Sequence, residues 1–190
     1  MSDSENIHLW KKKAEIDYIF LFVPLWLALD AWMRDRYGED TDRKKLELLK
    51  QGGNKIYDDF TTLLFVNDDD RAKAFQRDFA KLHRALETAH IPYPHDNKKV
   101  ISFSEARFVS ASGKADYIKL VDKDRREEGD IELGVGIFLC NDESMVFHSF
   151  IEILYQIRCA LFHGDLKPNA ENERVIKQLY LLTIEIMKRV

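Results

Sequence analysis

The sequence predicts a mainly α-helical fold carrying a small β-containing insertion at about residues 97–141. Three observations carry this expectation. Long stretches toward both ends of the 190 residues space their apolar side chains at helical intervals. Residues suited to helix ends punctuate those stretches: Gly38, the Asp68-Asp69-Asp70 run, and Asn169 or Asn172. Between them the chain turns β-branched and aromatic, broken by Gly113 and a charged run. A hydrophobic content of 45% is enough for one sizeable core, and no linker or internal repeat divides the chain. Residues 1–190 are therefore expected to form a single domain.

The first helix is expected from about Trp10 to Tyr37, closed by Gly38, with Pro24 predicting a kink or a late start of its regular part. The region Thr41 to Val66 is helical in pattern but interrupted at Gly52-Gly53, which predicts two helices. A third region starts at the aspartate run, where negative charge suits a helix N-terminus, and continues to about His90. Ala72, Phe75, Phe79, Leu82 and Leu86 recur there at helical spacing. Ile91-Pro92-Tyr93-Pro94 breaks the pattern. Strands are expected at Val100–Phe103, Tyr117–Val121 and Ile131–Cys140, with residues 122–130 as a mobile charged loop. Helix returns over Glu143–His163, and a last helix reaches Arg189, where Lys188 and Arg189 complement the dipole.

Composition narrows the function classes. Charged residues make up 33% with mixed sign, and the net charge is −4, so a broad basic surface that coats nucleic acid is not expected. Contact with RNA would have to be local. The two cysteines, Cys140 and Cys159, form no CxxC pair and no zinc-spaced cluster, which points to a reducing cytoplasm and to no metal. Residues 1–5 are acidic and polar, without the basic start of a signal peptide. The apolar run Tyr18–Leu29 falls short of the roughly 20 residues that span a bilayer, and Asp17 and Asp30 bracket it. A buried core helix is expected there, with no membrane as partner.

Arg158-Cys159-Ala160-Leu161-Phe162-His163-Gly164 is the most informative stretch. Histidine trades protons near neutral pH, and arginine is shaped to grip phosphate, so the pair suggests phosphate chemistry, most plausibly on RNA. On a helix, His148, Glu152, Gln156, Cys159 and His163 share one stripe. Arg158 falls on the border of the apolar arc, beside Ile151, Tyr155 and Phe162. A guanidinium placed there needs a partner or a ligand. Arg158 and His163 lie about 140° apart on an ideal helix. They converge if the helix ends at His163, which Gly164 permits, or if a second copy faces the first across a two-fold axis. The geometry favours a dimer-interface site.

The segment Tyr155-Gln156-Ile157-Arg158-Cys159-Ala160-Leu161-Phe162-His163-Gly164 resembles the Arg-x4-6-His signature of HEPN domains. The run Phe22 to Trp32 around Asp30 is similar to the first helix of the abortive-infection (ApeA-like) members. The resemblance covers both helical ends of the chain, and residues 93–141 have no counterpart in it. It implies a HEPN-like helical bundle, homodimeric and cytoplasmic. It also implies a metal-independent endoribonuclease of a prokaryotic toxin or antiphage defence system, with no cofactor. His163 would act as general base or acid for attack of a ribose 2′-hydroxyl, and Arg158 would stabilise the phosphate charge. An antitoxin or another defence-system protein is a further partner implied in this way. Cys159 departs from the Asn, Asp or His common at its position, and cysteine is a weak hydrogen-bonder. The alternatives are an inactive HEPN-like module that binds RNA or nucleotide or dimerises, and a protein-interaction partner.

Four further residues are accessory candidates. Asp30 is a possible ion-pair partner of Arg158, in a structural or a catalytic role. His148 and Glu152, one turn apart, can position each other, Glu152 can orient His163 of a second copy, or both can belong to a solvated or dimer-facing polar stripe. Lys167 shapes the loop with Asp165 or touches an RNA backbone. His163-Gly164-Asp165-Leu166-Lys167-Pro168-Asn169 mimics a protein-kinase catalytic loop, but Ala170 stands where that motif has its metal-binding Asn. No glycine-rich phosphate loop precedes it and no Asp-Phe-Gly follows. His83, His90 and His95 are expected at the surface, and Trp10, Trp26 and Trp32 in the core or an interface.

Overall fold

The computed structural model describes residues 17–94, 96–103, 107–109, 115–117, 120–122, 127–133 and 136–190. Helix α1 spans Tyr18–Tyr37. The Asp17 side chain accepts from the Phe20 amide at 3.0 Å, and Gly38 closes the helix at φ +65°. The helix continues through Pro24, which stands on the exposed side, where an unbonded carbonyl can meet water. The expected portion from Trp10 to Ile16 lies outside the described residues. The buried face carries Phe22, Leu25, Trp26, Leu29 and Met33.

The interruption at Gly52-Gly53 divides the next region as expected. Helix α2 is Asp42–Lys50 and helix α3 is Lys55–Thr61, widening into a π-helical turn over Thr62–Val66. Both glycines hold positive φ, +78° and +63°, a pair of left-handed residues that side chains with a Cβ resist. Buried Asn54 then caps α3, accepting from the Tyr57 amide and donating to the Leu49 carbonyl at 2.8 Å. Helix α4, Asp70–Ala89, starts on Asp69, whose carboxylate accepts from the Ala72 amide at 2.7 Å.

Among the described residues of the insertion, every strand pair is antiparallel. Strand β1 (Pro92–Tyr93) pairs with β2 (Asp96–Val100), and β3 (Arg107–Val109) with β4 (Ala115–Tyr117). A three-stranded sheet places β7 (Ile137–Leu139) between β5 (Leu120–Asp122) and β6 (Ile131–Glu132). The strand expected at Val100–Phe103 ends instead at Val100. The Ile101 amide still donates to the Ile91 carbonyl at 2.7 Å, but Ile101, Ser102 and Phe103 lie outside the strand and are buried, with the Phe103 ring 5.0 Å from that of Phe79. Burial in the helical core explains the apolar text there as well as a sheet would. The expected strand at Ile131–Cys140 is two short ones, turned at Gly136.

Helix α5, Glu143–Phe162, is capped by Asp142 and is apolar nearly all round, the pattern of a helix enclosed by others. By length and composition it could cross a bilayer, but more than half of it is buried inside the fold. Helix α6, Ala170–Ile186, begins at Asn169, whose side chain accepts from the Asn172 amide at 2.9 Å. It ends three residues before Arg189 and packs against α4 and α1. The fold is thus mainly α with a small β insertion. At its centre the Phe60 ring lies 5.2 Å from both Phe147 and Phe150, 5.7 Å from Phe75 and 5.9 Å from Phe79. We expect Phe60→Ala to cost roughly 3–5 kcal/mol, read as a lowered midpoint in urea unfolding at unchanged slope.

Candidate functional site

Arg158 lies near the C-terminal end of α5, and three side chains from three helices hold it. Its guanidinium carbon is 5.4 Å from the Trp26 ring centre on α1 and 4.8 Å from that of Phe162 on its own helix. Its Nη2 meets Asp42 Oδ2 of α2 at 3.1 Å. The side chain remains 23% exposed. Its Nε is buried and donates to nothing among the described residues. Aromatic faces favour a guanidinium through their negative quadrupole, so the cation is well held and one donor is left over.

Asp42 is shared. Lys45, one turn along α2, reaches Asp42 at 3.1 Å and also bonds Asp30 of α1. The Lys45 side chain is only 1% exposed. Burial opposes its charge, but hydrogen bonds to Asp30 and Asp42 hold the ammonium above its usual pKa. Asp30 also accepts from Arg34 at 3.0 Å. This corrects the expected pairing: Arg158 takes Asp42 of the second helix, and Asp30 is already occupied by Lys45 and Arg34.

The accessory pair on α5 has a different centre from the one expected. His148 and Glu152 both converge on Lys50 at the end of α2. The His148 Nε2–H donates to the Lys50 carbonyl at 2.6 Å, and Glu152 Oε2 receives the Lys50 ammonium at 2.8 Å. Arg43 Nη1 lies 3.0 Å from both Glu152 oxygens, and Gln156 donates to Oε1 at 2.8 Å. Burial works against ionising Glu152, but the charge and hydrogen bonds of Lys50, with Gln156 and Arg43, outweigh it and hold the carboxyl below its ordinary range. Burial, aided by the Lys50 charge, also keeps the His148 imidazole below its ordinary range. Both residues clamp α2 onto α5.

His163 forms the C-cap of α5, its amide donating to the Cys159 carbonyl at 3.0 Å, and its side chain is exposed. Gly164 follows at φ +78°, and the amides of Asp165 and Leu166 return to the Ala160 carbonyl at 2.9 and 3.0 Å. The helix therefore ends at His163, as Gly164 permits. Lys167 is exposed on the following loop, and its carbonyl accepts from Asn172 Nδ2 at 2.8 Å. Cys159 is buried one turn from Tyr155, whose phenol is pushed up by burial.

Asp42 and Lys45 escaped the sequence reading. A signal was present: Lys45 and Lys50 flank Leu46 and Leu49 on one buried face, where a lysine requires an acid. His83 is half-buried with its ring 6.4 Å from Phe103, His90 caps α4 in the left-handed region, and His95 and Trp10 lie outside the described residues. Among the described residues no three of His, Cys, Asp and Glu are grouped to hold a metal ion. No protein-family model, no curated protein and no solved structure matches the chain.

The lowered pKa of Glu152 fixes a sign. Its stabilisation is complete above the unfolded value of about 4.3 and is lost as pH falls through the lower folded value. Glu152→Gln should lose roughly 3 kcal/mol at pH 7, because buried Lys50 then keeps only the half-exposed Glu47 as an acid partner. That deficit should shrink as pH falls below about 4, in urea unfolding curves compared across pH.

Proposed function

We propose that the chain is a metal-independent endoribonuclease of a prokaryotic toxin or antiphage system, acting in the cytoplasm as a homodimer. The observation that carries the reading is the state of Arg158. It is a guanidinium fixed between two rings, still 23% exposed, with one buried donor unused, five residues before the exposed His163 at a helix end. The resemblance of this stretch to the HEPN signature supports the same reading. Exposed Phe20 and Leu27 on α1 and Phe162 on α5 offer apolar surface on two of the three helices that hold Arg158, suited to a second copy.

One His163 takes the proton of a ribose 2′-hydroxyl as its oxygen attacks the adjacent phosphorus, forming the new P–O bond. The P–O5′ bond breaks, and the leaving oxygen receives a proton from the His163 of the second copy. The products are a 2′,3′-cyclic phosphate and a 5′-hydroxyl. Arg158 stabilises the charge on the non-bridging oxygens. Asp42 must release Arg158 to the phosphate, and Lys45 at 3.1 Å keeps that carboxylate compensated when it does. The same Asp42 pairing is what favours a second reading, an inactive module that binds RNA or nucleotide without turnover.

RNA cleavage measured in EDTA should fall by about 10²–10⁴-fold in His163→Ala and at least as far in the Arg158→Ala, His163→Ala protein. Intact RNA with the wild-type chain, or equal cleavage by the double variant, sinks the catalytic reading. Asp42→Asn should tighten RNA binding by about tenfold, read by fluorescence anisotropy at constant salt. Unchanged affinity would show that Asp42 does not compete with phosphate.

A further inference from the structure

We infer that α1 is the dimer seam, pairing antiparallel with α1 of a second copy in a register that sets both Arg158 sites on one side of the helix pair. The inference rests on the homodimer proposed above and supplies its geometry. Asp17, Phe20, Pro24, Leu27, Ala31 and Arg34 follow one another at alternating steps of three and four residues, and each is exposed. That spacing keeps a stripe facing a neighbouring helix along its whole length. Here the stripe runs for about 26 Å. Phe20 is 75% exposed and Leu27 56%, although the opposite face of the same helix already fills the core.

The stripe complements itself only when reversed. A two-fold contact pairs residue i with j and j with i. Antiparallel, with the axis at the level between Leu25 and Trp26, Phe20 meets Ala31, Pro24 meets Leu27, and Asp17 meets Arg34. The bulkiest apolar side chain then faces the smallest, and each end of the seam carries an acid with a base. Parallel pairing instead sets Asp17 against Asp17 and Arg34 against Arg34, leaving like charges opposed. Neither charged residue has to surrender its present contact. Asp17 caps α1 by accepting from the Phe20 amide at 3.0 Å, and a carboxylate accepts at two oxygens. Arg34 holds Asp30 at 3.0 Å with its side chain 65% exposed, and a guanidinium has donors for a second carboxylate.

The same register places the candidate site. The axis stands normal to the plane of the paired helices, so a group on one flank of α1 reappears on the same side in the second copy. Trp26 and Asp30 share one flank of the stripe. Trp26 lies at the level of the axis and holds the Arg158 guanidinium 5.4 Å from its ring centre. Packed helices lie about 8–10 Å apart. Both Arg158 side chains therefore open on one side of the pair at one height, each beside a Phe162 that is 48% exposed. One chain supplies a single arginine, and the second copy completes the site.

The test reads association rather than cleavage. A seam of this length suits weak pairing, with Kd between about 1 and 100 μM, and sedimentation velocity of the full chain across that range should show monomer and dimer in exchange. Leu27→Glu should weaken the dimer about tenfold or more, with the melting followed by circular dichroism unchanged because Leu27 is exposed in the single chain. Phe20→Cys mixed with Ala31→Cys should give a disulfide-linked dimer on oxidation, since the bond needs Cα atoms within about 7 Å. Either cysteine variant alone should give none above the wild-type chain, which carries Cys140 and Cys159. Should Leu27→Glu fail to fold, the cysteine mixture decides. A chain that stays monomeric at every concentration, a dimer indifferent to a folded Leu27→Glu, or a disulfide dimer of Phe20→Cys alone overturns the inference. Pairing through this seam without RNA cleavage upholds it and removes only the catalytic reading.

Discussion

Two buried lysines on one short helix hold the structure's geometry together. Helix α2 has only nine residues, and its inward face pairs Leu46 and Leu49 with Lys45 and Lys50. Lys45 finds Asp30 on α1, and Lys50 finds Glu152 on α5. Apolar contact alone would let so short a helix slide or rotate at little cost. A buried ammonium tolerates no such freedom, because each lost contact leaves a charge in a poorly solvating interior. The two pairs act on different neighbours, so together they fix the position of α2 relative to α1 and α5.

The consequence reaches Arg158. Asp42 opens α2, and its position follows from where Lys45 and Lys50 anchor the helix. Trp26 belongs to α1 and Phe162 to α5, the two helices that α2 bridges. The surroundings of the guanidinium are thus assembled by charge pairs that do not touch it. The local charge is nearly balanced: Asp30 and Asp42 face Lys45, Arg34 and Arg158, which leaves a surplus of one positive charge for an incoming anion.

Features written in local chemistry were legible in the sequence. Gly38, the aspartate run at 68–70 and Asn169 mark helix ends because their side chains, or the lack of one, act on the nearest turn. The Gly52-Gly53 break was visible for the same reason. The partner of Arg158 was not, since Asp30 and Asp42 are chemically alike and only the packing of α2 decides between them. Lys45 was overlooked because lysine is ordinarily solvated, and its burial shows only once Leu46 and Leu49 are seen on the same face. Ile101–Phe103 read as strand because apolar residues that plug a core and those that pair in a sheet have similar composition.

Helix α5 also bears on how the chain reaches its fold. It is more than half enclosed and, taken alone, apolar enough to be at risk of sticking to other chains or to lipid. The order of synthesis answers this. The helices that supply its charged and aromatic neighbours, α1 to α4, all precede it, so its partners are already outside the ribosome when it emerges. Helix α6 follows, arriving after a loop of seven residues, 163–169, to close over α1 and α4. A circular permutant opened within the insertion would place α5 near the start of the chain, ahead of every helix that shields it, and would exchange a protected birth for an exposed one.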